Sequence, residues 1–330
     1  MDRPLMDRHG RTIRYLRVSV TDRCDLRCRY CMAERMTFLP RSEVLALEEI
    51  ALIAERFVAR GVSKIRLTGG EPLVRGDAMD LVRRLGRQVG QGLDELTLTT
   101  NGTHLRTHAA ALAAAGVRRI NVSLDSRDPD RFGFITRHGA LDRVLDGIDA
   151  AREAGLTVKI NMVALRGLND DEFAPMLHWA GALGMDLTLI ETMPLGDTGE
   201  DRADRFLPLT QVFDALSRDF TLTRDDHASG GPARYWRVAE TGARLGLISP
   251  MTQNFCDGCN RVRLTTEGRL YTCLGHDDQV DLKAAIRAGG LAAVDAAIDA
   301  ALASKPARHD FAIRAGAAPA VSRHMSVTGG

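Results

Sequence analysis

Cys24, Cys28 and Cys31 stand in the spacing C-x3-C-x2-C, with Tyr30 directly before the third thiol. Three thiolates on one short loop can hold a 4Fe–4S cubane but cannot close it, because a fully ligated site takes four. One iron is left without a protein ligand, and chemistry can happen there. The remaining cysteines, Cys256, Cys259 and Cys273, read C-x2-C-x13-C. Every thiol of the chain therefore falls into one of two groups of three. The second group admits a further cubane with one open iron, or a structural zinc, since C-x2-C is a common zinc half-site and His276 stands three residues beyond Cys273. Disulfides are disfavoured: charged Asp2, Arg3, Asp7 and Arg8 follow Met1 where a secretory signal would be apolar, so a reducing, cytoplasmic location is expected.

Other residues could share in that chemistry. Arg261 and Arg263 occupy alternate positions of a predicted strand, which aims both guanidinium groups at one face beside the second thiol set. Such a pair suits a polyanion, although two arginines on a strand also describe an ordinary solvated face. No G-x4-G-K-[ST] loop occurs, so a nucleoside triphosphate would be held by arginine and lysine. In Gly69-Gly70-Glu71-Pro72 the glycines permit close approach of backbone to a ligand, and Glu71 and Pro72 add a carboxylate and a rigid exit; a plain strand-to-helix turn has the same composition. Lys159, in the middle of a strand, is expected to project a cation into the fold, since helices normally cover the outer face, where a strand lysine would otherwise lie. His104 and His108 are one helical turn apart, but the glutamate of H-E-x-x-H is missing and a solvated helix face is the simpler reading.

These residues need a scaffold. A chain of 330 residues, 45% hydrophobic and 26% charged, can bury a full core. Its net charge of +1 argues against a nucleic-acid binder, and no apolar run is long enough for a membrane span. Strands are predicted at Arg14–Val20, Val62–Thr68, Glu95–Thr100, Val117–Leu124, Leu156–Val163 and Met185–Glu191. Helical pattern fills the gaps, as where Ile50, Ile53, Ala54, Phe57 and Val58 share one face. Gly61, Gly116, Gly155 and Gly184 each precede a strand as C′ glycines would. Such alternation implies a parallel sheet with its ligand loops at the strands' C-terminal ends. The expected fold is α/β, an open (β/α)6 partial TIM barrel over residues 1–225. Residues 226–330 should form a C-terminal α+β lid with the second cysteine set, including strands at Tyr235–Val238 and Arg244–Ile248 and helices from about Asp281.

With the cysteine loop at the end of strand one and Gly69–Pro72 at the end of strand two, the chain resembles the radical S-adenosylmethionine (SAM) enzymes. It resembles more closely the GTP 3′,8-cyclase family of molybdenum-cofactor biosynthesis. That resemblance runs through residues 7–11 and 16–24, Arg66–Leu73, Thr99–Gly102, Asn121–Asp125, Cys256–Arg263 and the closing Gly329-Gly330. It implies two 4Fe–4S clusters, the first on Cys24, Cys28 and Cys31 and the second on Cys256, Cys259 and Cys273. It implies SAM contacts from Tyr30, Gly69, Gly70, Glu71, Pro72, Ser123 and Met193, and nucleotide contacts from Arg17, Arg66, Thr99, Lys159, Arg261, Val262 and Arg263. Gly329-Gly330 would be a functional tail reaching the active site, where two glycines could otherwise be a frayed end. In the family a 5′-deoxyadenosyl radical takes hydrogen from C3′ of GTP and the ribose carbon then attacks C8 of guanine. The implied partners are GTP, a low-potential electron donor and the next pathway enzyme, cyclic pyranopterin monophosphate synthase, which receives the product; a homodimer is compatible. Asp25 and Ala33 depart from the family's asparagine and proline, and Thr188 from its arginine. The competing readings are another radical SAM enzyme with an auxiliary cluster, such as a peptide modifier, and a non-catalytic zinc or electron-carrying protein.

Overall fold

Alternation within the first six strands sets the architecture of the protein, seen in a computed structural model that describes residues 4–329. These strands are β1 (Tyr15–Ser19), β2 (Lys64–Thr68), β3 (Glu95–Thr100), β4 (Arg119–Ser123), β5 (Thr157–Ala164) and β6 (Asp186–Glu191). They pair in parallel in chain order, with ends shifted by a residue or two from those predicted. One side of each strand is apolar: Leu16, Val18, Ile65, Leu67, Ile160 and Leu189 are all buried. The helices between the strands cover that side, namely α1 (Leu47–Ala59), α2 (Ala78–Gly86), α3 (Leu105–Ala114), α4 (Pro129–Thr136), α5 (Leu141–Glu153) and α6 (Phe173–Ala182). In α1 the predicted face of Ile50, Ile53, Ala54, Phe57 and Val58 is buried throughout, and each large side chain there contributes roughly 1.5–3 kcal/mol. Gly61, Gly116, Gly155 and Gly184 close helical segments with positive φ, as expected.

The opposite side of the strands is polar and lines a lumen. Tyr15, Arg17, Lys64, Arg66, Thr99, Asn121, Lys159 and Asn161 project there or take part in its wall. Register places them in rows: Tyr15 lies opposite Lys64, and Arg17 opposite Arg66. A barrel of this kind keeps its apolar core between sheet and helices and leaves the axis free for ligands.

The C-terminal half is α7 (Arg202–Arg205), α8 (Leu209–Asp219), β7 (Leu222–Asp225), β8 (Arg234–Val238), β9 (Arg244–Ile248), β10 (Arg261–Leu264), β11 (Arg269–Tyr271), β12 (Gln279–Asp281), α9 (Leu282–Ala303) and α10 (Met325–Thr328). Its strands extend both edges of the barrel sheet, giving the order β12-β11-β10-β1-β2-β3-β4-β5-β6-β9-β8-β7. Both junctions are parallel, β10 on β1 and β9 on β6. This half therefore does more than cover a mouth, because it completes the wall on either side of the open barrel. A boundary between residues 225 and 226 falls inside the antiparallel hairpin of β7 and β8. Helix α9, bent at Gly290, is tied to α1 by the pairs Arg56–Asp295, Arg60–Asp299 and Arg287–Glu49.

These pairings put the two cysteine sets at opposite ends. Cys24, Cys28 and Cys31 follow β1 and so lie at the C-terminal ends of the barrel strands. Arg261 lies opposite Tyr15, at the start of β1, so Cys256 and Cys259 lie toward the N-terminal ends. Residues 249–260, which carry them, link β9 at one side of the parallel array to β10 at the other. Among the described residues no helix is long and apolar enough to cross a membrane.

Candidate active site

At the C-terminal end of the lumen, Cys24, Cys28 and Cys31 line one chamber with Tyr30, Gly69, Gly70, Asn101, Ser123, Asp125 and Met193. Backbone contacts hold the cysteine loop against α4, since Arg27 N and Arg29 N donate to Thr136 O and Ile135 O. Asp25, one departure from the family, anchors the loop on its other side. Its carboxylate accepts from Asn101 Nδ2 at 2.7 Å and Thr103 Oγ1 at 2.6 Å, and His104 Nε2 is 3.3 Å away. Tyr30 Oη donates to Asp125 Oδ2 at 2.6 Å, which fixes the ring beside the thiols.

The glycines are needed for close approach. A Cβ on Gly69 would stand 2.2 Å from Thr21 O, and one on Gly70 2.3 Å from Arg23 O. The loops after β1 and β2 can lie against one another only without side chains there. Glu71 is turned away from the chamber. Its fully buried carboxylate accepts from Leu73 N, Thr100 Oγ1 and Asn101 N at 3.0, 2.9 and 2.6 Å, and burial pushes its pKa up to about 7. Glu71 and Pro72 thus shape the loop, and neither lines the chamber.

The second chamber is bounded by Cys256, Cys259 and Cys273, by the C-terminal loop residues Ser229, Pro232, Phe255 and His309, and by the basic side chains Arg17, Arg66, Lys159, Arg261 and Arg263. Val262, between the two arginines of β10, is fully buried on the other face of the strand. Lys159 points inward and donates to Tyr235 Oη at 3.0 Å. Burial, and then the charges of Arg66, Arg119 and Lys64, hold its pKa well below the usual lysine range. Burial likewise depresses Arg263, with Arg17 and Arg261 as further causes. So many buried cations repel one another until an anion joins them.

Two more basic residues hold the second thiol set. Lys305 is 2% exposed, and its Nζ lies 3.7 Å from Cys259 Sγ while donating to Arg261 O and Thr272 O. Arg11 reaches from the N-terminal segment to Cys256 O at 2.9 Å and to Ala307 O at 2.7 Å. Asp7 steadies Arg11 through a 2.6 Å pair with Nε.

All six cysteines are free thiols, and both sets fit iron–sulfur ligation by donor chemistry. Burial drives the Cys24 and Cys28 thiols far up and Cys31 up to about 12, a cost that metal coordination would offset by taking the proton's place. At Cys259 burial acts the same way, but Arg261 and Lys305 overcome it and bring the thiol to about 6. Among the described residues no three His, Cys, Asp or Glu side chains are placed to hold a single metal ion. In a cubane each thiolate serves a different iron, so the ligands stand farther apart than around one ion. His276, the candidate fourth zinc ligand, has its Nε2 3.0 Å from Arg308 O.

The chambers share Thr99, Asn161, Ile190 and Met193, so they are two halves of one lumen. The tail enters beside that junction. Arg263 Nη1 donates to Gly329 O at 2.8 Å, and Met325 lines the first chamber. Gly329 has φ +74°, and a Cβ there would meet Thr68 Cγ2 at 2.1 Å. Gly330 lies outside the described residues.

Sequence reasoning passed over Tyr15, Lys64, Asn121, Asn161 and Lys305. The first four carried a signal: polar residues alternating with aliphatic ones in strands covered by helices mark a wetted inner face. Lys305 had none, because its burial comes from loop packing. Thr188 is fully buried with no partner for its hydroxyl and lines neither chamber. Ala33 has no contact that explains its departure from the family.

Comparison with known proteins agrees with this layout. The Radical SAM superfamily profile matches residues 18–180, and the Molybdenum Cofactor Synthesis C profile matches residues 185–311. A GTP 3′,8-cyclase of Rhizobium etli is 60% identical, covering 99% of this chain and 94% of its own. The GTP 3′,8-cyclase of Rhodopseudomonas palustris is 60% identical over 100% of this chain and 97% of its own. Among solved structures, Streptococcus suis SuiB bound to S-adenosylmethionine superposes with a TM-score of 0.63 at 15% identity, over 83% of this chain and 64% of that one. Native anSMEcpe with bound AdoMet gives 0.58 at 14% identity, over 86% and 81%. At such identities these two attest to the fold alone, an open radical SAM barrel. Two domain profiles in tandem, and relatives matched from end to end, lead to one conclusion: the chain belongs to the GTP 3′,8-cyclase family, the radical SAM enzymes of molybdenum-cofactor synthesis.

Proposed function

We propose that this chain converts GTP to (8S)-3′,8-cyclo-7,8-dihydroguanosine 5′-triphosphate in one lumen, with SAM at the Cys24 end and the nucleotide at the Cys259 end. The observation that carries this reading is the joining of a cysteine-lined chamber to a cationic one through shared walls at Thr99, Asn161, Ile190 and Met193. Bound at the first thiol set, a cluster with one open iron would supply the electron for reductive cleavage of SAM. The protein's part is placement. Tyr30, Gly69, Gly70, Ser123 and Met193 form the SAM-side wall. Arg17, Arg66, Lys159, Arg261 and Arg263 face the triphosphate, and Thr99, which accepts from Arg66 Nη1 at 2.9 Å, stands between the two ligands. The second thiol set, as a further cluster, would receive the guanine base. Buried walls keep water and reductant from the reacting carbon.

Further parts of this reading are a low-potential electron donor, delivery of product to cyclic pyranopterin monophosphate synthase, and a cytoplasmic location suited to six free thiols. We divide the work between residues 1–225, as barrel, and residues 226–330, as the unit holding the second set and the tail. An anaerobic assay with GTP, SAM and a strong reductant tests the whole. It should give 5′-deoxyadenosine and the cyclic triphosphate together. SAM cleavage with no GTP-derived product would favour a different substrate, such as a peptide.

A further inference from the structure

Three cations converge on one phenol. Tyr15 opens β1 with 2% exposure, and register sets it between Arg261 of β10 and Lys64 of β2. Arg66 Nε donates to Tyr15 Oη at 2.5 Å. Arg17 is hydrogen-bonded to the same side chain, and Lys64 Nζ stands 5.1 Å from the ring centroid. Guanidinium groups only donate, so the phenol oxygen acts toward both as acceptor. The nearby carboxylate of Glu95 is already engaged, by Lys64 and by Arg119. On β10, Arg261 and Arg263 are also cations, and the Cys259 thiol also acts on Arg263.

Burial alone would raise the pKa of Tyr15, but Arg66, Arg17 and Lys64 outweigh it and bring it to about 7. The other tyrosines, Tyr30, Tyr235 and Tyr271, are all pushed upward, chiefly by burial. Tyr15 alone among the four has the surroundings of a phenolate.

We propose that Tyr15 is a positioning residue for the substrate chamber: as a phenolate it is the counter-anion that holds Arg17 and Arg66 in place, and it takes a proton from solvent when the triphosphate arrives. Without an anion the guanidinium groups would repel one another and swing apart. Once a triphosphate supplies negative charge, a second anion beside it becomes unfavourable, and protonation removes it. The neutral phenol still accepts from Arg66, so the array keeps its geometry. The proton-uptake half rests on the nucleotide placement proposed above; the phenolate half does not.

The test uses reconstituted holoenzyme under anaerobic conditions. Difference ultraviolet spectroscopy should show one tyrosinate titrating near neutral pH in the wild type, absent from Tyr15→Phe with the same clusters, and moved upward by GTP. Calorimetry in buffers of different ionisation enthalpy, above the neutral range where GTP itself is fully ionised, should show uptake approaching one proton per GTP. By linkage, wild-type affinity should weaken by up to about tenfold per pH unit there, while Tyr15→Phe stays flat. Identical titrations in wild type and variant would overturn the proposal. So would GTP binding without proton uptake. If GTP fails to bind while the tyrosinate is present, the nucleotide placement falls, and proton uptake with it, but the phenolate stands. The wild-type titration with and without GTP needs no variant, so a misfolded Tyr15→Phe would not rescue the idea.

Discussion

The thiols of Cys24, Cys28 and Cys31 feel the carboxylates Glu71, Asp25 and Asp125, with Arg202 opposing them at Cys31, while Arg27 donates to the Cys24 carbonyl at 2.6 Å. Around Cys256, Cys259 and Cys273 the charged neighbours include Arg261, Lys305 and Arg11. The ligand type is the same at both ends, but among charged groups carboxylates act most on the first thiols and cations on Cys259. On the placement proposed above, the first end would take SAM, with its sulfonium and ammonium, and the basic end a triphosphate. On that placement a triphosphate in the first chamber would face carboxylates where the second offers it cations.

Breaking the thiol sets one at a time should have the largest effects. Cys28→Ser should abolish 5′-deoxyadenosine formation, whereas Cys259→Ser should abolish cyclisation and keep the first cluster. Each should lower reconstituted iron from about eight to about four per chain. Iron and sulfide analysis checks this, and full iron with activity in the Cys259 variant would remove the second end from the comparison. Next in size is Gly329→Ala, which forces a methyl group into Thr68 of the first chamber's wall. Turnover should fall on the order of a hundredfold, as for an approximately 1 Å misplacement of reacting groups, with the melting temperature unchanged. A fully active variant would show the tail to be passive.

Arg263→Ala sharpens the comparison by removing charge at the basic end, together with the donor that holds the tail at Gly329 O. GTP affinity should fall by about tenfold to more than a hundredfold, the weight of a charge-assisted contact of about 1.5–3 kcal/mol. SAM affinity, measured in parallel, should stay within experimental error. Lys305→Met should act most mildly on binding and most clearly on stability. It leaves Arg261 O and Thr272 O without their shared donor, at a cost of about 1–3 kcal/mol. Thermal unfolding should fall by roughly 2–4 °C per kcal/mol lost. An unchanged midpoint would mean that the second thiol set does not depend on its buried lysine.

Much of this was legible in the residues. Cysteine spacing picked out the two thiol sets, and periodicity located the six strands, because each is a local property of the chain; that the sets lie at opposite ends came from strand pairing. The inward aim of Lys159 followed from its place in a covered strand. What escaped was set by pairing between distant segments. Alternation in β1 puts Tyr15 on the same face as Arg17, but only the register with Lys64 and Arg261 reveals its company of cations. Glu71 misleads in the other direction: its motif advertises chemistry, but its carboxylate is spent on three donors of its own scaffold. The extension of both barrel edges by β9 and β10 also had no local sign, since nothing in either strand names its neighbour.

The pairing of β10 with β1 has a consequence for how the protein matures. The seat of the second thiol set requires Arg14 N and Tyr15 N to donate to Asn260 O, and Arg11 to reach Cys256 across 245 positions of sequence. On the ribosome, β1 through β6 can assemble in the order they emerge, with the first cysteine loop already complete. One side of β1 must then wait, its hydrogen-bonding groups unpaired, until the last third of the chain appears. The first cysteine loop is therefore complete before the second has its seat, and the waiting edge of β1 is the nascent chain's exposed template for mispairing with another chain.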